Sequence, residues 1–167
     1  MKSGYNFSKR FFTVVASCVL ITACATGPTP QNGDEFIAYY AKNPFLKTDK
    51  VRINKSYAVV LASITPMVKK CYNDKWTAIT PSVHVAIGVI STGKIVTKSK
   101  THSQVTIQLL DVTIHYPSDI PANGQYIFVA DVKASGSGST NIEIYYSSSS
   151  RYRDWLVEAV NGKSTGC

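Results

Sequence analysis

The sequence predicts an α+β fold, in which about five antiparallel strands are preceded and followed by a helix, with the helices packed on one face of the sheet. Three observations carry this expectation. Residues 83–146 hold a succession of short, alternating apolar runs separated by Gly-, Ser- and Pro-containing turns, the pattern of antiparallel strands. Residues 151–161 carry an amphipathic stripe of helical period. Before the strands, apolar residues from Ser56 onward recur every three or four positions.

The elements follow in order. Residues 35–43, EFIAYYAKN, form one short helix stopped by Pro44, and residues 44–55 read as an irregular basic connector. Ser56 is a fair N-cap for a helix in which Val60, Ile64, Val68 (or Met67) and Cys71 share a face. Pro66 should kink that helix or start a new one, with Thr65 as cap and Pro66 at the first helical position. Tyr57–Ile64 is also rich enough in β-branched residues for a strand, but the helical period is preferred. Residues 83–90 form the first predicted strand, with Val83, Val85, Ile87 and Val89 on one face. STGK at 91–94 reads as a tight hairpin turn with Gly93 where φ is positive, returning along 94–101. Residues 105–116 form a long strand whose apolar phase flips at Leu109-Leu110, the mark of a bulge or of a two-sided strand. Residues 117–124 are a loop. Residues 125–133 are apolar on both faces, as in a central strand. SGSGS at 135–139 turns the chain into a return strand at 140–146. Ser149 or Ser150 caps the final helix, where Tyr152, Trp155, Leu156, Ala159 and Val160 make the stripe and Gly162 supplies the stop.

Composition limits function. In 167 residues, 44% are apolar and only 17% charged, which suits one folded domain rather than a disordered chain. The formal charge of +8 is modest and forms no long basic run, so nucleic acid is not expected as a partner.

The N-terminal residues are organised differently. Lys2, Lys9 and Arg10 precede an apolar or small stretch, FFTVVASCVLITA, of the length of a secretory h-region. It is shorter than the roughly 20 apolar residues that span a bilayer. It ends in Ile21-Thr22-Ala23-Cys24, with an aliphatic residue at −3 and small residues at −2 and −1. This resembles the lipobox of bacterial lipoprotein precursors. The resemblance implies that residues 1–23 are removed and that Cys24 carries a diacylglyceryl thioether. It also implies an anchor of two or three acyl chains, enough for stable membrane attachment. Ala25 stands where many Gram-negative lipoproteins carry the aspartate that retains them at the inner membrane, so the resemblance places the domain at the outer membrane, facing the periplasm. Residues 24–34 then read as a lipidated cysteine and a flexible Pro/Gly/Thr tether, and 35–167 as one periplasmic domain. The three basic residues before Cys24 leave 15 of the 18 Lys and Arg in the mature chain against all 10 acids.

With Cys24 consumed by lipid and Cys18 removed with the signal, Cys71 and Cys167 remain as an even pair in an oxidising compartment, and a disulfide is expected between them. The helix–strands–helix order resembles helix-grip and small envelope-lipoprotein domains. The ending, Tyr145-Tyr146 followed by Trp155, Ala159, Gly162 and Cys167, resembles small uncharacterised proteobacterial envelope lipoproteins, a likeness that brings no activity with it.

Chemical motifs are weak. Gly88–Lys94 has the GxxxxGK spacing of a phosphate loop, but Ile95 replaces the Ser/Thr that would hold magnesium, and no helix follows. Gly162-Lys163-Ser164-Thr165 has Val157 at the first glycine position. Both strings read as turns, and no nucleotide or cofactor is expected. His84, His102 and His115 lack cysteine or carboxylate companions at metal-ligand spacing. No GxSxG elbow occurs, and the carboxylates are scattered, so no catalytic residues are expected. The numerous aromatics suit core and rim packing. A partner-binding face is the functional alternative, with Arg151, Tyr152, Arg153, Tyr145 and Tyr146 as its candidates, because Tyr, Trp and Arg dominate interface hot spots. The expectation is a non-enzymatic outer-membrane lipoprotein that binds an envelope component, such as a subunit of a secretion or assembly machine. An inhibitor of a cell-wall hydrolase and a small-ligand carrier are the alternatives.

Overall fold

A computed structural model describes residues 29–43, 47–73, 75–80, 85–113, 124–146 and 150–167. The segment 1–23, Cys24, His84, His115, the loop 117–123 and Ser149 lie outside the described residues. Three helices and six strands follow one another as α1 (Gly33–Ala41), β1 (Lys47–Ile53), α2 (Tyr57–Cys71), β2 (Lys75–Thr80), β3 (Val85–Ser99), β4 (His102–Thr113), β5 (Gln125–Ala134), β6 (Thr140–Tyr146) and α3 (Ser150–Val160). The strands form one antiparallel sheet in the order β1-β6-β5-β4-β3-β2. The α+β class holds.

The strand count differs from the expected five for three local reasons, one of which is β2, a short edge strand outside the expected elements that pairs with β3 from Lys75↔Ile90 to Thr80↔Val85. The connector 44–55 contains β1, an edge strand that pairs with β6 from Lys47↔Tyr146 to Ile53↔Thr140. It turns Val51 and Ile53 inward, while Lys50 and Arg52 alternate on the other face. Charges on an edge strand discourage pairing with foreign chains, and here they also hide the strand from a hydrophobicity reading. The expected hairpin at 91–94 does not exist. β3 runs unbroken through it, with Thr92 opposite Gln108 and Gly93 opposite Ile107, so the strands expected at 83–90 and 94–101 are one. The true reversal lies at Lys100-Thr101, after Ser99↔His102.

Gly93 serves close approach rather than a turn. A Cβ there would lie 2.2 Å from the Cβ of Tyr72, whose side chain crosses the strand as α2 ends. Asn73 Oδ1 fixes the same crossing by accepting from Gly93 N (3.1 Å) and Thr92 Oγ1 (3.0 Å). Gly93→Ala is therefore expected to cost about 2 kcal/mol in urea denaturation, since overpacking must move backbone. A neutral result would show that α2 does not end on this strand.

α1 begins two residues earlier than expected, because Asn32 caps it. Asn32 Oδ1 accepts from Glu35 N (2.9 Å), and the Glu35 carboxylate accepts from Asn32 Nδ2 (2.8 Å) and Gln31 N (2.7 Å). This reciprocal cap satisfies donors of the first turn, and Asp34 and Glu35 suit its partial positive charge. The last residues of the expected tether thus belong to the folded domain.

α2 is one continuous helix that contains Pro66. Pro66 is exposed, so the carbonyl of Ala62 that loses its N–H partner faces water rather than the core. Its inner face, Val60, Ile64, Met67, Val68 and Cys71, is buried. α3 follows its predicted stripe, with Leu156, Ala159 and Val160 buried and Tyr152 and Trp155 half-buried. Gly162 (φ 77) closes it, with Gly162 N bonded to Ala159 O and Lys163 N to Glu158 O, the two bonds of a Schellman end. Lys55 Nζ adds a bond to Val160 O (2.6 Å) at the negative end of the helix dipole.

α2 and α3 cover one face of the sheet. Val105, Ile107, Phe128, Ala130, Val132, Ile142 and Ile144 meet their inner faces in the main core. Fully burying each Val, Ile or Phe side chain among them contributes about 2 kcal/mol. The helices are not all on that face: α1 packs on the other, where Phe36 and Tyr40 meet Val129 and Tyr145. β5 thereby has apolar residues on both sides, as its sequence predicts. The expected bulge is also present: Ser91 pairs with Leu109 and Ile90 with Asp111, so Leu110 is skipped and stands exposed. Cys71 and Cys167 are joined, with Cα atoms 5.4 Å apart.

Candidate functional site

The five sequence-predicted partner-binding residues do not form one surface. Tyr145 and Tyr146 are neighbours on β6 and therefore point to opposite faces. Tyr145 packs edge-on to Tyr40 (6.4 Å) and its hydroxyl donates to Glu143 (2.9 Å). Tyr146 joins the main core and donates to Asp49 Oδ2 (3.3 Å). Tyr152 sits among Tyr72 (5.6 Å), Phe128 (6.3 Å) and Trp155 (5.8 Å). Arg153 is held by Asp49 and Asp154, both at 2.8 Å. These four side chains hold the domain together. The space between α3 and the sheet is occupied by Tyr72, Phe128, Tyr152 and Leu156.

Arg151 is placed differently. It lies on the exposed side of α3, with its guanidinium 5.8 Å from the centre of the Trp155 ring, one helical turn on. The two residues line an open groove of roughly 480 Å³ together with Ser150, Asp154, Glu158 and Gly166. Gly166 comes from the C-terminal segment, which the Cys71–Cys167 bridge ties to the end of α2. The groove thus combines an aromatic face, a cation and two carboxylates on a rigid helix. That set can seat an extended polar segment or an aromatic–basic side-chain pair. In the sequence Trp155 belongs to the core stripe, because which edge of that stripe is exposed depends on how α3 is rotated on the sheet.

On the opposite face, a polar network passed unnoticed in the sequence. Asp131 is 4% exposed. It accepts from His102 Nε2 (2.6 Å), Lys133 Nζ (2.5 Å) and Gln104 Nε2 (3.3 Å). Gln104 also donates to Asp34 Oδ1 (2.7 Å), and Asp34 pairs with Lys98 (2.7 Å). The chain of bonds clamps the first turn of α1 to β3, β4 and β5. The signal was the two-residue spacing of His102 and Gln104 and of Asp131 and Lys133, which puts each pair on one strand face. Only the β4–β5 register, His102↔Lys133 and Gln104↔Asp131, brings them together.

The charges of this network are mutually tuned. Burial pushes the Asp131 carboxyl up, but the bonds from Lys133 and His102 outweigh it and hold it below the ordinary aspartate value. The Lys98 bond, then the Gln104 bond, holds Asp34 down as well. Lys133 is raised by its bond to Asp131. Carboxylates with depressed values contribute stability above about pH 3.9, their unfolded value, and lose it as pH falls through the folded one. Lys133 contributes below about pH 10.4 and loses its share as pH rises through its raised value. Asp131→Asn is expected to cost about 2 kcal/mol at neutral pH and to flatten the acid limb of the stability profile. Urea denaturation across pH measures both, and an unchanged acid limb would show that the clamp contributes nothing.

Among the described residues no helix is long and apolar enough to cross a membrane. Compared with models of known protein families, and with curated protein sequences, the chain matches none.

Proposed function

We propose that this chain is a non-enzymatic outer-membrane lipoprotein, anchored through lipid on Cys24, whose periplasmic domain binds another envelope component, such as a subunit of a secretion or assembly machine. The anchor rests on the lipobox Ile21–Cys24. The disulfide between Cys71 and Cys167 is in keeping with an oxidising compartment. The binding reading is carried by one observation, the Arg151–Trp155 pair at the mouth of a groove walled by a disulfide-held segment. Arg and Trp are the residue types that concentrate interface energy, and a rigid wall lowers the ordering cost of binding.

The test is affinity capture of the lipidated protein from its own envelope, with wild type beside a variant carrying Arg151→Glu and Trp155→Ala. Loss of two hot-spot side chains should lower recovery of a stoichiometric partner by at least about thirtyfold, since each is worth about 1–2 kcal/mol. Undiminished recovery by a folded variant would reject the groove. A lone cell-wall hydrolase as the captured protein would support the inhibitor reading instead. A carrier would draw on a cavity between α3 and the sheet, and the rings occupying that space rank this reading last.

A further inference from the structure

The two faces of the sheet differ in where the chain enters. α1 covers one end of its face, over Val129 and Tyr145. The other end, toward the β3–β4 and β5–β6 turns, carries Lys98, Lys133, Lys50 and Arg52 on alternating strand positions, with Lys100 at the β3–β4 turn, while Lys94 stands exposed on β3 in the same cross-strand row as Thr106 and Val129. Among the described residues its acids are already engaged: Asp34 with Lys98, Asp131 with Lys133 and His102, and Glu143 with Lys50. Among the described residues, Lys94 and Lys100 stand without an ion-pair partner, and Arg52 bonds only the Ser139 hydroxyl (3.4 Å). Glu35, in the first turn of α1, is the nearby counter-charge, and it is bonded to Gln31 and Asn32.

The tether arrives at this same place. Thr29–Gln31 lead directly into the Asn32 cap, and the next turn rests on Lys98 and Gln104. Cys24 precedes Thr29 by five residues, an extended reach of about 17 Å. Attraction to an anionic bilayer fades within roughly 10 Å, so a long tether would leave the domain unoriented and a short one does not. The helical side also carries exposed lysines, Lys69, Lys70 and Lys163, but α2 and α3 lie across the sheet from the point of entry. Charge alone does not orient the domain; the attachment point does.

We propose that the uncovered end of the sheet face, centred on Lys98, Lys100 and Lys133 and flanked by Lys94 on β3, lies against the bilayer and binds its phosphate headgroups. The Arg151–Trp155 groove, on the other side of the sheet, then faces away from the membrane toward a partner. The proposal rests on lipidation of Cys24, and its test separates the two.

The mature lipidated protein is reconstituted in vesicles of phosphatidylcholine alone or with phosphatidylglycerol, and each lysine is followed by an amine-reactive label and mass spectrometry. On anionic vesicles Lys94, Lys98, Lys100 and Lys133 should label several-fold more slowly than on neutral ones. Lys69, Lys70 and Lys163 should not change, and high salt should remove the difference. Lys94→Gln with Lys100→Gln should remove most of the protection of Lys98 and Lys133, given the worth of a basic residue at an anionic surface. An acylated protein that labels uniformly, or is protected at Lys69, Lys70 and Lys163 instead, overturns the orientation while leaving the anchor intact. Absence of acyl mass on Cys24 overturns both.

Discussion

Replacing Tyr72 by alanine is expected to destabilise the domain by about 4 kcal/mol, the upper range for loss of a buried aromatic side chain. Tyr72 is fully buried at the residue that caps α2. Its ring meets Phe128 (5.7 Å) and Tyr152 (5.6 Å), its Cβ lies over Gly93, and its hydroxyl donates to Tyr152 O (2.5 Å). One side chain thus joins α2, β3, β5 and α3, and none of its neighbours can collapse into the cavity without leaving another. Tyr72→Phe keeps the ring and removes one hydrogen bond, so it should cost about 1 kcal/mol. Burial pushes the Tyr72 hydroxyl well above the ordinary tyrosine value, and burial with the Glu143 bond raises Tyr145 to about 12. Both therefore stay protonated in the fold when free tyrosine ionises, and their contribution is lost only as pH rises beyond about 10. Urea denaturation of the two variants checks the magnitudes. A Tyr72→Ala cost no greater than that of Tyr72→Phe would mean that the ring does not join these elements.

Removing the disulfide, by Cys71→Ala with Cys167→Ala, is expected to cost about 3 kcal/mol. The bridged residues are 96 apart in sequence, and the chain-entropy model gives about 4.7 kcal/mol for a loop near that length, a ceiling that measured bridges seldom reach. The effect should be visible as the same loss when the wild-type protein is denatured under reducing conditions. A second consequence is local. Gly166 walls the Arg151–Trp155 groove only while Cys167 is held at the end of α2. The double variant should then capture less partner even where it remains fully folded. Equal stability with and without reductant would reject the first expectation, and undiminished capture the second.

These two sites show where the sequence could be read and where it could not. α3 was legible in detail because an amphipathic stripe is a local signal: residues three and four apart share a face whatever lies beneath them. The two-sided character of β5 and the bulge at Leu110 were legible for the same reason, as departures from strict alternation within one strand. Cys71 and Cys167 were paired by counting once a compartment was inferred. Gly93 misled, because a glycine in Ser-Thr-Gly-Lys has the same letters whether it turns a hairpin or admits a side chain from 21 residues earlier. β1 was missed because only Val51 and Ile53 face the core, and two inward residues between charges are indistinguishable from a loop.

The functional candidates divide in the same way. Tyr145, Tyr146, Tyr152 and Arg153 looked like a surface in the sequence because they are aromatic or basic and close together. Successive strand residues oppose one another, and a core took both tyrosines of β6. Asp131, His102, Lys133, Gln104 and Asp34 looked scattered, and the register of β4 on β5 gathered them.

What the sequence by itself determined is the local chemistry: the α+β class, the periods of α2, α3 and β5, and the cysteines available for a bridge. What only the tertiary structure decided is every relation between distant segments. Those are the face that α1 covers, the edge that β1 extends, the ring that crosses Gly93, and the network around Asp131. The physical reason is that side-chain period is set by backbone geometry within an element. Register, packing face and close approach are instead set by which segments exclude water together, and no single segment encodes that choice.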